Sequence, residues 1–383
     1  MTPKDVLTNP NFCPVPWTGL MYNFDGVVKN CIRSDQTKPI GDLKETPIEE
    51  ILLGEENVSR QQLIHEKEQV PSCHTCKDLE RGKTGFGIIS DRVFYIRELK
   101  KTPLDTYTVG NFDLQTIDVR WSNLCNFACV YCSPQFSSKW ASELNVQQSM
   151  PTDEQKAAFK DYIFKNASKL KHVYLAGGEP LLIKENLELL KLLNPDVNLR
   201  INTNLSKVDT EIFQTVCKFK NVHWTVSAET IEEEYEYIRY GGSWQDFLEN
   251  LQIIKSLDHK ISFNMLWFLL NYQSIFDFVD YMKDLGFHNN SFIIGAMLTP
   301  EYLNIRHLPN NVLELLEKKI ESLISEAPGF LLEDSYRNML HYIKQPTEKN
   351  LDLSFERLSE LDVRRGLDSR KIFKDLYTLK KDY

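Results

Sequence analysis

Thiols are the groups in this sequence best suited to chemistry. There are eight, and seven fall into two sets. Cys125-Asn-Phe-Ala-Cys129-Val-Tyr-Cys132 places three on one short stretch, where thiolates can converge on a single metal centre. A structural zinc wants four protein ligands, and no fourth Cys or His stands near. His172, the next histidine downstream, falls inside a strand pattern. An iron–sulfur cluster held by three cysteines keeps one iron open for another ligand. Cys13, Cys31, Cys73 and Cys76 form the second set, one C-x2-C pair with two distant partners. That spacing suits a structural zinc or a fully ligated cluster. Cys217 shares an apolar helix face with Phe213 and reads as a core thiol.

The rest of the composition narrows the class. The start, MTPKDVLTNPNFCPVPW, has no basic segment followed by an apolar stretch, so it does not read as a secretory signal. The most apolar window, residues 261–270, is too short to cross a bilayer. A cytoplasmic protein with no membrane partner is expected, and in that compartment clustered cysteines more often bind metal than form disulfides. The 45 basic and 54 acidic residues leave a net charge of −9, which gives no general attraction to phosphate and no nucleic-acid partner. No histidine pair at helical spacing and no Ser/His/Asp constellation is present.

Residues 117–295 alternate between two periods. Strands are predicted at Ile117–Trp121, His172–Ala176, Asn198–Asn202, Val222–Val226, Ile261–Met265 and Phe292–Gly295. Helices are predicted between them. Pro151–Leu170 opens on Thr152 with Gln155 three residues on, a capping box. Asp209–Phe219, Trp244–Leu257 after Ser243, and Ser274–Leu285 before Gly286 follow. Six such units predict an α/β fold, a partial (β/α)6 TIM-like barrel. Ahead of it, Leu20–Phe24, Asp25-Gly26 and Val27–Cys31 read as a hairpin, with a short helix at Pro47–Leu53. Val312, Leu316, Ile320, Leu323 and Ile324 mark a helix after residue 300, and more helical segments follow to Tyr383. Three domains are expected: a small cysteine-rich module over 1–85, the barrel over 86–300 and a helical C-terminal extension over 301–383, with Gly82, Gly85 and Gly87 at the first boundary.

C-x3-C-x2-C directly after the first barrel strand resembles the signature of radical S-adenosylmethionine (SAM) enzymes. Further motifs follow on successive strand ends, where such barrels carry their active sites. They are Gly177-Gly178-Glu179-Pro180, Asn202-Thr203-Asn204 and Ser227-Ala228-Glu229. The resemblance implies that Cys125, Cys129 and Cys132 hold a [4Fe–4S] cluster whose open iron chelates SAM. It implies that Gly177, Gly178 and Glu179 receive the SAM ammonium and that Tyr131 packs near the adenine. It places Asn202, Asn204, Ser227 and Glu229 at the cofactor, with Arg239 on the SAM carboxylate. The chain has Leu205 where the family often has glycine, and Glu229-Thr230 where peptide-modifying relatives often have Asp-Gly.

The first module is similar to the SPASM/twitch modules of the same enzymes. The similarity rests on Cys13-Pro-Val-Pro-Trp17, the Asp25-Gly26 hairpin, Cys31, Ile40-Gly41-Asp42-Leu43, Arg60 and Cys73-His-Thr-Cys76. It implies an auxiliary [4Fe–4S] cluster on Cys13, Cys31, Cys73 and Cys76, two clusters in all. The usual order is reversed, since the module precedes the barrel here. The implied activity is reductive cleavage of SAM to a 5′-deoxyadenosyl radical and hydrogen abstraction from a small-molecule or peptide substrate. The auxiliary cluster favours net oxidation. A redox-neutral epimerase or mutase and a zinc-stabilised scaffold remain the alternatives. An external one-electron donor such as flavodoxin or ferredoxin is implied as a partner.

Overall fold

The computed structural model describes residues 9–35, 37–80, 90–98, 104–147 and 150–379. The glycines expected at the first domain boundary, Gly82, Gly85 and Gly87, lie outside them.

One sheet of nine strands runs through the molecule in the order β3-β2-β1-β4-β5-β6-β7-β8-β9. The six predicted barrel strands are β4 (Thr116–Arg120), β5 (His172–Leu175), β6 (Asn198–Thr203), β7 (Asn221–Val226), β8 (Lys260–Trp267) and β9 (Phe292–Ala296), all parallel. The hairpin is present as β1 (Gly19–Asn23) and β2 (Val27–Lys29), with Gly26 at φ +96° in the turn, and β3 (Gly41–Asp42) completes the edge. β1 does more than the sequence implied. It pairs parallel with β4 along its whole length and makes the hairpin part of the barrel sheet.

Cross-strand register explains what each face does. Tyr22, Val119, Leu175, Ile201, Trp224 and Ile261 form one continuous row of partners, and all are apolar. This face packs against the outer helices: Tyr22 lies 4.2 Å from Phe159, Trp224 5.5 Å from Phe213 and Phe263 5.4 Å from Phe278, between ring centroids. The neighbouring row, one residue along, runs Lys29, Met21, Asp118, Tyr174, Arg200, His223, Lys260. Side chains alternate faces along a strand, so this polar row lines the inner face.

The connecting helices form where local signals agree. The helix Asp153–Asn166 carries both bonds of the predicted capping box, Gln155 N to Thr152 Oγ1 at 3.3 Å and Thr152 N to Gln155 Oε1 at 2.8 Å. Thr210 caps Glu211–Val216 and Ser243 caps Trp244–Lys255. Beyond β9, three long helices (Asn310–Glu326, Leu331–Ile343 and Leu351–Arg365) form the C-terminal extension. Cys217 is half-buried against the main core, at the end of Glu211–Val216. No described helix is long and apolar enough to cross a membrane.

Two predictions follow from the two faces. Ile201, fully buried in an apolar row, should cost about 2–5 kcal/mol of stability as Ile201→Ala. Asn198→Ala, at the exposed end of the same strand, should stay within about 0.5 kcal/mol in the same denaturant titrations. On the inner face, burial, with Arg200 and Lys260 adding to it, lowers the His223 pKa from 6.5 to about 3. Unfolding therefore takes up a proton between those values. Stability is lost as pH falls through that window, by up to about 1.4 kcal/mol per pH unit. His223→Gln should flatten that slope in denaturant midpoints measured from pH 6.5 down to 4.

Candidate active site

The three-cysteine stretch follows β4 and is held from several sides. Ala128 N donates to Tyr240 O and Val130 N to Ile238 O, both at 2.8 Å, so its backbone lies against the end of the helix Glu232–Ile238. Ser137 caps the helix Ser138–Leu144 and donates to Phe127 O at 2.6 Å. Trp140, on that helix, donates its indole N–H to Cys129 O at 2.7 Å. Tyr302 donates to Val130 O from beyond the barrel.

The strand-end motifs converge on this loop. Gly177 has φ +113°, and a Cβ there would stand 2.7 Å from Ser122 O. At Gly178 a Cβ would lie 2.1 Å from Leu124 O. Both positions exclude a side chain because the cysteine loop's own backbone crosses there. Gly178 N and Glu179 N donate to Ser122 O and Leu124 O. Glu179 is fully buried and already well supplied with donors. Its Oε1 accepts from Thr203 Oγ1 at 2.8 Å and Leu181 N at 3.1 Å, and its Oε2 from Asn204 N at 2.7 Å. Burial raises its pKa to about 7 against the pull of those bonds. Asn204 reaches Asn126 Oδ1 at 3.2 Å and Cys125 Sγ at 3.9 Å. Leu205, standing where glycine is usual, keeps the left-handed backbone (φ +59°) and is fully buried. Its N–H bonds Thr203 Oγ1 at 2.8 Å, and its carbonyl accepts from Asn250 at 2.9 Å. Packing and bonds offset a conformation that costs about 1–2 kcal/mol.

Glu229 and Arg239 form a buried ion pair at 2.5 Å, with side chains 0% and 4% exposed. The Arg239 guanidinium lies 5.7 Å from the Tyr131 ring centre, and Tyr131 packs edge-on to Phe268. Arg239, expected on a SAM carboxylate, thus has a carboxylate of its own. Glu229 Oε1, Arg239 Nε and Asn202 Oδ1 are nonetheless buried without hydrogen-bond partners. Such orphaned atoms point to a polar ligand. Ser227 donates its backbone N–H to Thr203 O and is half-buried.

Cys13, Cys31, Cys73 and Cys76 line one pocket, together with Arg33, Arg92, Asp91 and Tyr95. Arg60, buried at 3% exposure, ties the segment after Cys31 to the helix Glu55–His65 through Lys38 O, Asn30 and Ser34. His74 is exposed on the rim. Cys31 stands two residues past β2, which runs antiparallel to β1, so this pocket lies at the N-terminal ends of the parallel strands. The loop of Cys125, Cys129 and Cys132 stands at their C-terminal ends.

Both thiol sets fit iron–sulfur clusters. Burial first, then the charge of Cys129, pushes Cys132 up to about 12. Burial, Cys73 and Cys76 push Cys31 up to about 12. Thiolates gathered in such surroundings need a strongly cationic group. Among the described residues no three His, Cys, Asp or Glu side chains are placed to hold a single metal ion.

Comparison with known proteins agrees with this donor chemistry. Residues 119–285 match the radical SAM superfamily and residues 13–77 match the SPASM iron–sulfur cluster-binding domain. The chain therefore carries a radical SAM domain preceded by an iron–sulfur cluster-binding SPASM domain, and the two imply [4Fe–4S] clusters and SAM as cofactors. A 7-carboxy-7-deazaguanine synthase from Clostridium acetobutylicum is 39% identical over 77 residues, 20% of this chain and 31% of that one. The solved structure of anSMEcpe with bound AdoMet matches with a TM-score of 0.41 at 16% identity, over 55% of this chain and 60% of that one. Streptococcus suis SuiB bound to its precursor peptide SuiA matches with a TM-score of 0.40 at 14% identity, over 70% and 63%. The chain thus spans about a third of the curated relative and about three-fifths of these solved chains.

The polar inner row was missed at the level of sequence, although its signal was present. Strands buried on both faces read as continuous apolar runs, whereas Thr116–Arg120 and Asn198–Thr203 alternate. Arg365, whose guanidinium lies 4.4 Å from Trp140 and 4.3 Å from Tyr240, gave no such signal.

Glu179→Gln offers one oxygen where the carboxylate offers two. It should leave a buried donor unpaired and lower stability by about 1–3 kcal/mol in denaturant titrations. Glu179→Ala should cost more.

Proposed function

We propose that this enzyme abstracts a hydrogen atom from a polar small molecule or peptide and that the overall reaction is an oxidation. The observation that carries the reading is the placement of the two thiol sets at opposite ends of one polar sheet face. Strands of five or six residues separate the ends by roughly 15–20 Å, which leaves a substrate space between them. Cys125, Cys129 and Cys132 would hold a cluster that supplies the electron for SAM cleavage, and Cys13, Cys31, Cys73 and Cys76 would hold one that serves as a one-electron acceptor.

The chain's own residues prepare this site. Glu179 braces the ends of β5 and β6 beneath the cysteine loop. Glu229 keeps Arg239 charged and oriented beside Tyr131, while its orphaned oxygen and the Asn202 amide remain for SAM. A flavodoxin or ferredoxin would provide the starting electron.

The test is anaerobic assay of the iron-reconstituted chain. Wild type should form 5′-deoxyadenosine, and Cys125→Ala, Cys129→Ala or Cys132→Ala should abolish it. Cys31→Ala should lose up to about four irons per chain. Zinc rather than iron in that pocket would refute the auxiliary-cluster assignment. A product lighter by two hydrogens supports oxidation; an unchanged mass refutes it in favour of an epimerase or mutase.

A further inference from the structure

The interior of a (β/α) barrel is ordinarily a packed core dominated by branched apolar side chains. Here the inner face is polar in successive rows. Asp118, Tyr174, Arg200 and His223 are direct register partners on β4 to β7. One row further toward the cysteine loop come Asn23 with Arg120, and Asn202 with Thr225.

These groups are not fully satisfied by one another. Asp118 is 7% exposed and pairs with Arg120 through Oδ2 at 3.2 Å. Its Oδ1 has no partner, nor has Arg120 Nε or Asn202 Oδ1, and all three atoms are buried. Each such atom costs about 1–3 kcal/mol unless something fills the space. Arg200 is exposed in the middle of a strand. It stands 5.3 Å from the Tyr174 ring centre, bonds Thr225 Oγ1 at 2.9 Å, and has no carboxylate partner among the described residues. Arg120, Arg200 and Lys260 share this face with His223, against the one carboxylate of Asp118. The helix Asp91–Glu98 reaches the same face, with Phe94 5.8 Å from His172.

We propose that this face is the substrate chamber and that it selects a carboxylate-bearing substrate: Arg200 and Arg120 receive the carboxylate, and Asp118 accepts from an N–H of the same molecule. The proposal rests on the radical reading of the site and adds the substrate's chemical class. A bidentate guanidinium on a carboxylate is both strong and directional. The exposed Arg200, held by Thr225 beside the Tyr174 ring, is preorganised to make it.

The test uses the full chain, reconstituted anaerobically and saturated with SAM. Glutarate and inorganic phosphate serve as separate probes in calorimetric titration. Phenylglyoxal modification of Arg200 in wild type, mapped by peptide mass spectrometry, is the second readout. Glutarate should bind and protect Arg200. Arg200→Gln should weaken glutarate about 10- to 100-fold, and Arg200→Lys should weaken it less. Protection by phosphate alone would overturn the carboxylate assignment. Absence of protection in wild type that still forms 5′-deoxyadenosine would overturn the chamber and leave the radical reading intact. Protection by glutarate without 5′-deoxyadenosine would uphold the anion site and overturn the radical reading.

Discussion

Everything in this molecule is organised by the alternation of side chains along its parallel strands. One residue points to the helices and the next points inward. The outward rows are apolar without interruption across six strands, from Tyr22 to Ile261, and these rows hold the helices on. The inward rows carry Asp118, Tyr174, Arg200 and His223. Stability and chemistry are thereby separated on a single backbone. The helices supply the burial, and the inner face is released from the need to be a core.

The same separation governs the cysteine loop. Its backbone is fixed by the barrel strand end, through Gly178 and Glu179, and by partners beyond the barrel mouth. Arg365, at the end of the last long helix, is 1% exposed and pairs with Glu143 on the helix after the loop. Its guanidinium lies over both Trp140 and Tyr240, and these residues contact the loop through Cys129 O and Ala128 N. Tyr237 bonds Asp362 at 2.9 Å from the same helical extension. A buried cation between two aromatic faces and a carboxylate is costly to disturb. The C-terminal extension is therefore a brace on the three-thiol loop.

Sequence periodicity made the strands and helices legible because each element is locally consistent. Thr152, Thr210 and Ser243 all cap the helices they precede. The glycine pair 177–178 was legible as a close approach, but the partner was not. Only the fold shows that the Ser122 and Leu124 carbonyls stand where a Cβ at these positions would lie. Leu205 was legible as a departure from the family pattern. Its tolerance was not, because the Asn250 bond that helps hold it comes from the helix Trp244–Lys255. Arg365 was illegible for the same reason, since its partners stand more than a hundred residues away.

The N-terminal position of the auxiliary module, which inverts the usual order, follows from how β1 joins the sheet. Here the module lies at the N-terminal ends of the parallel strands. Cys13 precedes β1, β1 runs parallel beside β4, and β2 turns back to carry Cys31 to the same end. The hairpin turn at Asp25-Gly26 is what brings Cys31 back to the level of Cys13. Arg60 then closes the segment after Cys31 against the helix Glu55–His65, and Cys73 and Cys76 complete the pocket from the far side. Sequence order is inverted, yet the two thiol sets stand at opposite ends of one sheet face, because a parallel edge strand fixes which end of the sheet its flanking residues reach.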